Sequence, residues 1–480
     1  MRNSAGLVRS GRTDGITDRK PAMKPRKGFL RAVAVASLLL PCLAAFGDWT
    51  APRDLRAKIA ALDESQRTFI ESGAMLDFLP ERQLVHELTT RDGQDLQTFV
   101  NDVMSLAGQM GYDPQNDMGA MPLNLTAKRF HRGSVPTPKP LRKLDRDPGP
   151  FSVHRYVFPQ TGVPTFAGAK VAIWPEDLVA GGVDVAIVGI PNDMSSGRRG
   201  AEWGPHEMRA LDTIATPDTQ SLIDPMDVLS VVDYGNFSVD NMSTERTIDH
   251  VTDMVAETAA TGAVPMLVGG DTSMLYPGVR GIARTHGAGS FGLLHFSAHP
   301  DADRSGVHTI SDDQALFLLL DQGIVEGSDT VQVGLRGPNV NEDTLQWLRD
   351  RKVRYHTMAE IEKLGFEKVL KKVRSEVARG PDSFFVSVDV SVVEPSEMVA
   401  AGRIASGGLR VQQVTQAIRS VCAAKDIVGF EITDMAPVLD VSRVSVANAN
   451  ALLNACLVGM AVRKAGLKPD YIHPLAADHG

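Results

Sequence analysis

Cysteine is scarce: Cys42, Cys422 and Cys456 are the only three in 480 residues, too few for the disulfide framework of a small secreted domain. The latter two sit in apolar stretches, so buried thiols are the default reading. A Cys422–Cys456 bridge stays open, without support from spacing. Basic charge is not in excess either. Lys and Arg total 50 against 58 Asp and Glu, a formal net charge of −8, which argues against a nucleic-acid surface as the main business of the chain. Internal repeats and low-complexity tracts are absent, and beyond the N-terminal segment no membrane span stands out. With 43% hydrophobic and 22% charged residues, neither disorder nor collagen-like repetition describes the whole chain. Its length allows one large core or two smaller ones.

Nine Lys and Arg fall in residues 1–47 against two Asp. From Met23, the basic run Lys24-Pro25-Arg26-Lys27 and Arg31 precede an apolar stretch from Ala32 to Phe46 that ends in Ala45-Phe46-Gly47. Basic segment, short apolar segment and small residues before a polar Asp48 make the pattern of a cleaved export signal over 1–47. The expected location is therefore periplasmic or secreted. Retention as an N-terminal anchor is the alternative, although Pro41 interrupts the run and its length is short for a span. Met23 is a second candidate start.

Apolar residues at helical spacing over 48–112, such as Leu55, Ile59 and Leu62, then Phe99, Val103 and Leu106, predict a helical extension of two or three helices. Residues 113–165, with Pro136, Pro138, Pro140, Pro148 and Pro150, read as a Pro-rich linker or strap. From 166 to 480 short apolar runs (183–190, 228–232, 264–268, 291–296, 330–334, 384–388, 426–430) alternate with amphipathic stretches (243–261, 342–352, 358–378, 411–424, 446–465). That alternation predicts an α/β domain with a mainly parallel sheet covered on both faces. Function in such a sheet sits beyond the carboxyl ends of the strands.

Those ends carry Gly269-Gly270-Asp271-Thr272, Ser297-Ala298-His299-Pro300-Asp301, Asp389-Val390-Ser391 and Glu431-Ile432-Thr433-Asp434-Met435-Ala436-Pro437. Earlier come Gly189-Ile190-Pro191 and Arg199-Gly200-Ala201, and later Ser406-Gly407-Gly408-Leu409. In this order they resemble the ureohydrolase superfamily of arginases, agmatinases and formiminoglutamases, with agmatinases nearest in loop length. The resemblance covers about residues 150–465. It implies a three-layer α/β/α arginase-like fold, assembly into oligomers, and a pair of Mn²⁺ ions whose shared hydroxide attacks a guanidino carbon to release urea and an amine.

Carried over position by position, only His299, Asp301 and Asp389 remain as metal ligands; the other three positions hold Thr272, Ser297 and Ser391, whose hydroxyls are neutral and poor replacements. Two carboxylates then face the charge that four offset in the family, so Mn²⁺ binding is expected to be weak, mononuclear or absent. The family's proton-transfer pair falls at Asp313-Gln314, with His308 as a substitute if the loop bends. Its guanidinium-holding Glu falls at Asp434, with Glu431 the alternative in a shifted register. The family's loop near substrate becomes Ala400-Ala401-Gly402-Arg403-Ile404-Ala405.

Three readings follow: a pseudoenzyme that oligomerises with itself or with an active paralogue, an active agmatinase-type C–N hydrolase with a rebuilt site, or a non-catalytic module for guanidino or amine ligands. If only ligands were lost, restoring Thr272→His, Ser297→Asp and Ser391→Asp together should increase bound Mn²⁺. Beside these stand plainer roles: Asp271 as acceptor for a Gly-Gly turn, Arg198 and Arg199 as scaffold, and Asp301 with Asp303 as a solvated pair near Arg304.

Overall fold

Runs such as Val-Ala-Ile-Val-Gly and Ser-Phe-Phe-Val-Ser-Val-Asp lack the polar alternation of a strand with one wet face, the pattern of strands buried on both sides. The computed structural model of the chain, which describes residues 49–79, 81–109, 148–151, 163–194, 197–211, 217–240, 243–304, 311–338 and 340–478, makes them the centre of a nine-stranded sheet. The strands are β1 Lys170–Val171, β2 Val185–Gly189, β3 Val231–Asn236, β4 Val264–Val268, β5 Gly292–Phe296, β6 Thr330–Leu335, β7 Arg354–Thr357, β8 Ser383–Asp389 and β9 Asp426–Thr433. Their spatial order is β1-β3-β2-β4-β9-β8-β5-β6-β7. Every neighbouring pair is parallel.

Successive side chains leave a strand on opposite faces, and two cores result. Ile187, Met266, Val268, Leu294, Phe296, Val386, Val388, Phe430 and Ile432 pack with Val369, Val373, Val414, Ile418 and Leu453 on one side. Leu267, Leu293, Phe385 and Val428 pack with Ile248, Val251, Val255, Val279, Ile282 and Leu316 on the other. The result is the expected three-layer α/β/α arrangement. On the second face, helices Thr244–Ala260 and Leu275–His286 approach so closely that a Cβ on Gly281 would stand 2.6 Å from Val255 Cβ.

Two expectations are corrected. Cys422 and Cys456 are joined as a disulfide: helices Val411–Ala424 and Val444–Lys464 lie side by side and bring the two Cα atoms to 5.3 Å, a tertiary approach invisible in the spacing. Helix Val444–Lys464 is, by length and composition, apolar enough to cross a membrane, but 67% of its apolar window is buried inside the domain, as in the central helix of a soluble core. Among the described residues the extension holds four α-helices, Arg56–Ala60, Glu64–Glu71, Glu81–Thr90 and Gly93–Gln109, not two or three. The first is only five residues long and buries Ile59, with Leu55 and Leu62 buried just outside it.

The extension has its own core, built on Leu55, Ile59, Phe69, Ile70, Met75, Leu84, Leu88, Phe99 and Val103. Asp63 and Gln66 form a capping box at the start of Glu64–Glu71. It meets the α/β domain through Arg82, which donates to the Gly181 carbonyl, and through Lys170 Nζ, which donates to Gln83 Oε1 at 2.9 Å. The export-signal reading of 1–47 and most of the Pro-rich segment fall outside the described residues. Within that segment, Phe151 bridges to Val171 of β1 and the Gly149 amide donates to Asp177.

Candidate functional site

β4, β9, β8 and β5 lie side by side, so the segments that follow them meet at one end of the sheet. Beyond β4, Asp271 caps a single turn: its carboxylate accepts from the Ser273 amide at 3.0 Å, the Met194 amide at 2.7 Å and Asn192 Nδ2 at 3.0 Å. Thr272 then donates to Asp389 Oδ2 at 3.2 Å. Beyond β5, the chain does not continue extended, as a shared face for residues 297, 299 and 301 would require. β5 ends at Phe296 and Asp301 takes a left-handed φ of 49°, a region asparagine and aspartate tolerate better than most. That turn returns Asp301 Oδ2 to within 3.3 Å of Ser297 Oγ, which also donates to Asp389 Oδ2 at 3.0 Å. Ser391 turns away, its Oγ accepting from the Ala298 amide at 3.3 Å while its own amide donates to Asp389 Oδ1 at 2.8 Å.

A cation from the chain itself lies among these groups. Arg403 Nη1 donates to Asp301 Oδ1 at 2.9 Å and to Asp313 Oδ1 at 3.1 Å, and Nη2 donates to Asp389 Oδ2 at 2.8 Å. Nε stands 3.3 Å from Asp312 Oδ2, an ion pair without the alignment of a hydrogen bond. Arg403 is only 9% exposed. Burial works against its charge, but Asp301, Asp389, Asp312 and Asp434 together hold the guanidinium well above its ordinary pKa. Burial alone would raise Asp301; the Arg403 charge and the His295 hydrogen bond outweigh it and bring the carboxyl down to about 2. Burial, reinforced by the Asp389 charge, pushes Asp434 far up despite Arg403.

The loop that presents Arg403 is held on both sides of it. The Gly402 amide donates to the Asp434 carbonyl at 2.9 Å, and the Arg403 amide to Asp434 Oδ2 at 2.8 Å. His299 Nε2 meets the Arg403 carbonyl at 3.0 Å. Arg198 Nη2 donates to the Ala401 carbonyl at 2.8 Å, and Arg336 Nη2 to the Ala405 carbonyl at 2.7 Å. Only glycine suits position 402, because a Cβ there would come within 2.4 Å of Asp434 Oδ1.

A second polar row lies beneath. His295, Ser387 and Glu431 are cross-strand neighbours on β5, β8 and β9, all fully buried. His295 Nε2 stands 2.9 Å from Asp301 Oδ2 and Nδ1 3.0 Å from Ser387 Oγ, which lies 2.6 Å from Glu431 Oε1. The Ser–His–Asp sequence of contacts resembles a hydrolase triad, but the serine is sealed in the sheet and committed to Glu431, out of reach of any substrate. Burial pushes Glu431 up to about 8, the Asp389 and Asp301 charges adding to it and the Ser387 hydrogen bond opposing it. The Ser387 hydroxyl donates to Glu431 Oε1, tying the buried acid to the row.

Because Glu431 binds its proton in the folded chain and releases it near 4.5 when unfolded, its contribution is fullest in acid and is lost as pH rises towards about 8. Glu431→Gln is expected to flatten the fall of unfolding free energy between those values by up to about 1.4 kcal/mol per pH unit. Urea titrations across that range check it; parallel pH profiles for the two proteins would contradict it.

Several residues named from the sequence thus have other partners. Asp301 and Asp389 converge, but on Arg403, and His299 is turned to the Arg403 backbone. Among the described residues no three His, Cys, Asp or Glu side chains are grouped to hold a metal ion. Asp434 accepts from the loop amide instead of opening towards a ligand. Asp313 touches Arg403, and burial raises its pKa. His308 lies outside the described residues. Asp301 is buried, not solvated, while Arg304 pairs with exposed Asp343. Arg403, His295 and Asp312 were not singled out as site residues. The available signal was a lone arginine in the altered 400–405 loop and polar residues inside strands that are otherwise apolar.

Mn²⁺ does not fit this arrangement. Asp389 Oδ2 already takes Thr272, Ser297 and Arg403, Asp301 takes His295 and Arg403, and a divalent ion beside a buried guanidinium would meet repulsion at close range.

Residues 183–459 match the arginase family, and the chain belongs to it. Mitochondrial agmatinase of Gallus gallus is 29% identical over 271 residues, 56% of this chain and 78% of that protein. The solved proclavaminate amidino hydrolase of Streptomyces clavuligerus superposes with a TM-score of 0.58 at 25% identity, covering 64% of this chain and 100% of its own. A formiminoglutamase of Trypanosoma cruzi solved with Mn²⁺ shares the fold, with a TM-score of 0.53 at 21% identity over 59% of this chain and 95% of its own.

Proposed function

We propose that this chain is a catalytically silent member of the arginase family, an agmatinase-like scaffold that acts as a homo-oligomer or as the partner subunit of an active paralogue. One observation carries the reading: Asp301 and Asp389, the two carboxylates left at the family's metal positions, are both bound by Arg403. Hydroxyls at Thr272 and Ser297 complete the coordination of Asp389 and bring no charge for a metal. Without a metal-bound hydroxide, no group among the described residues supplies the nucleophile that guanidino hydrolysis needs. The buried disulfide between Cys422 and Cys456 supports export to an oxidising compartment, in keeping with the N-terminal segment.

The test is a urea-release assay on the purified chain, supplied with Mn²⁺, against agmatine and guanidino acids. No release above the protein-free rate is expected; turnover at ordinary enzyme rates would overturn the reading and return the chain to the agmatinase-type hydrolases.

A further inference from the structure

We propose that Arg403 is the resident ligand of this site: a tethered guanidinium that stands in for the missing metal charge, in a carboxylate cage that binds a free cation once that side chain is removed. The inference rests on the silent-site reading and says what replaced the metals.

Three observations point the same way. All three guanidinium nitrogens face carboxylates, with Asp301 and Asp313 at Nη1, Asp389 at Nη2 and Asp312 at Nε. An arginine so enclosed needs paired acids to be tolerated at all. The backbone that delivers it is fixed from both sides, through Asp434 and His299 at Arg403 itself, Arg198 at Ala401 and Arg336 at Ala405. The side chain is thus presented by a built loop and does not fall into a gap by chance. The charge also balances in a particular way. Serines at 297 and 391 remove two of the family's carboxylates, and neutral hydroxyls fill the remaining acceptor sites of Asp389. Burial, with the Asp389 charge beside it, pushes Asp434 towards its neutral form, so it adds little to the negative charge around Arg403.

A chain cut back at this position exposes a cavity lined by Asp301, Asp389, Asp312 and Asp313. Its shape and charge suit a planar guanidinium first and a compact divalent cation second. Ligand binding to the folded state alone raises the thermal midpoint.

The experiment compares the full chain with Arg403→Ala in thermal unfolding, adding guanidinium or methylguanidinium at millimolar concentration, or Mn²⁺. The alanine variant is expected to melt lower than the parent and to recover by several degrees with guanidinium or with Mn²⁺, at concentrations that leave the parent unmoved. A variant that no cation rescues overturns the proposal while leaving the silent-site reading intact. A parent chain that itself gains stability from Mn²⁺ and releases urea overturns both. Should the alanine variant fail to fold, Arg403→Met combined with Asp389→Asn and Asp301→Asn removes the acids along with the cation. That triple variant is expected to fold and to ignore every cation; if it unfolds as readily as Arg403→Met alone, unpaired acids are not the cause of the loss and the proposal fails.

Discussion

Replacing Arg403 with methionine is expected to lower the unfolding free energy at neutral pH by about 3–5 kcal/mol, the range for removing one partner from a buried ion pair. Methionine keeps most of the volume, so the loss reports the charge and not a cavity. The pH dependence separates this from a packing defect. In the parent chain Asp301 titrates at about 2, below its ordinary value of 3.8. Its ionised form therefore stabilises the fold above that ordinary value, and the contribution is lost as pH falls through about 2. Without Arg403 the effect of burial on Asp301 is opposed only by His295 and His299, the carboxyl rises, and protonation relieves the variant as the solution is acidified. The difference between the two proteins, followed by urea denaturation from pH 7 to 5, should shrink. A constant difference would mean that Arg403 contributes through contacts other than its charge.

Restoring the family's ligands is expected to fail while Arg403 is present. The triple change Thr272→His, Ser297→Asp and Ser391→Asp supplies every donor that the sequence comparison finds missing, and from ligand count alone it should load Mn²⁺. In the structure the space and charge are already taken: Asp301 and Asp389 each lie within 2.9 Å of a guanidinium nitrogen. Two added carboxylates would be offset by one cation only. The expected outcome is a destabilised triple variant with background metal, and stoichiometric Mn²⁺ only when Arg403→Ala is added to it. Metal analysis after gel filtration reads this directly. Stoichiometric Mn²⁺ in the triple variant that keeps Arg403 would show that the guanidinium yields to the metal.

The fold was legible because buried parallel strands leave long apolar runs. Residues 264–268 coincide with β4, and six of the seven runs read as strands fall on strands of the sheet; the 228–232 run starts in the helix Pro225–Val228 and only its last two residues lie in β3. β1 and β7 were missed: they are the edge strands, short and half-polar, Lys-Val and Arg-Tyr-His-Thr, so they bury too little to mark themselves. Helix Leu275–His286 was hidden by Pro277, Gly278 and Gly281, residues that read as loop but serve close packing on the sheet and on Thr244–Ala260.

At the site, the degraded ligand set was legible because each missing donor stands at a fixed distance along a strand end. What replaced it was not. Arg403 reaches the acids only because the loop carbonyls and amides are tied to Asp434, His299, Arg198 and Arg336, contacts between segments far apart in the chain. The Cys422–Cys456 bridge escaped for the same reason. The row His295–Ser387–Glu431 had a visible trace, since a polar residue in each of three apolar strands needs partners, and the parallel register supplies them.

The central claim is that a guanidinium of the chain itself occupies the place of the metals. Elemental analysis of the purified protein after equilibration with Mn²⁺, and separately with Ni²⁺ and Zn²⁺, tests it most directly. The account predicts no metal retained through gel filtration; a dinuclear stoichiometry, with two ions held per chain as the family's catalytic centre requires, would contradict it.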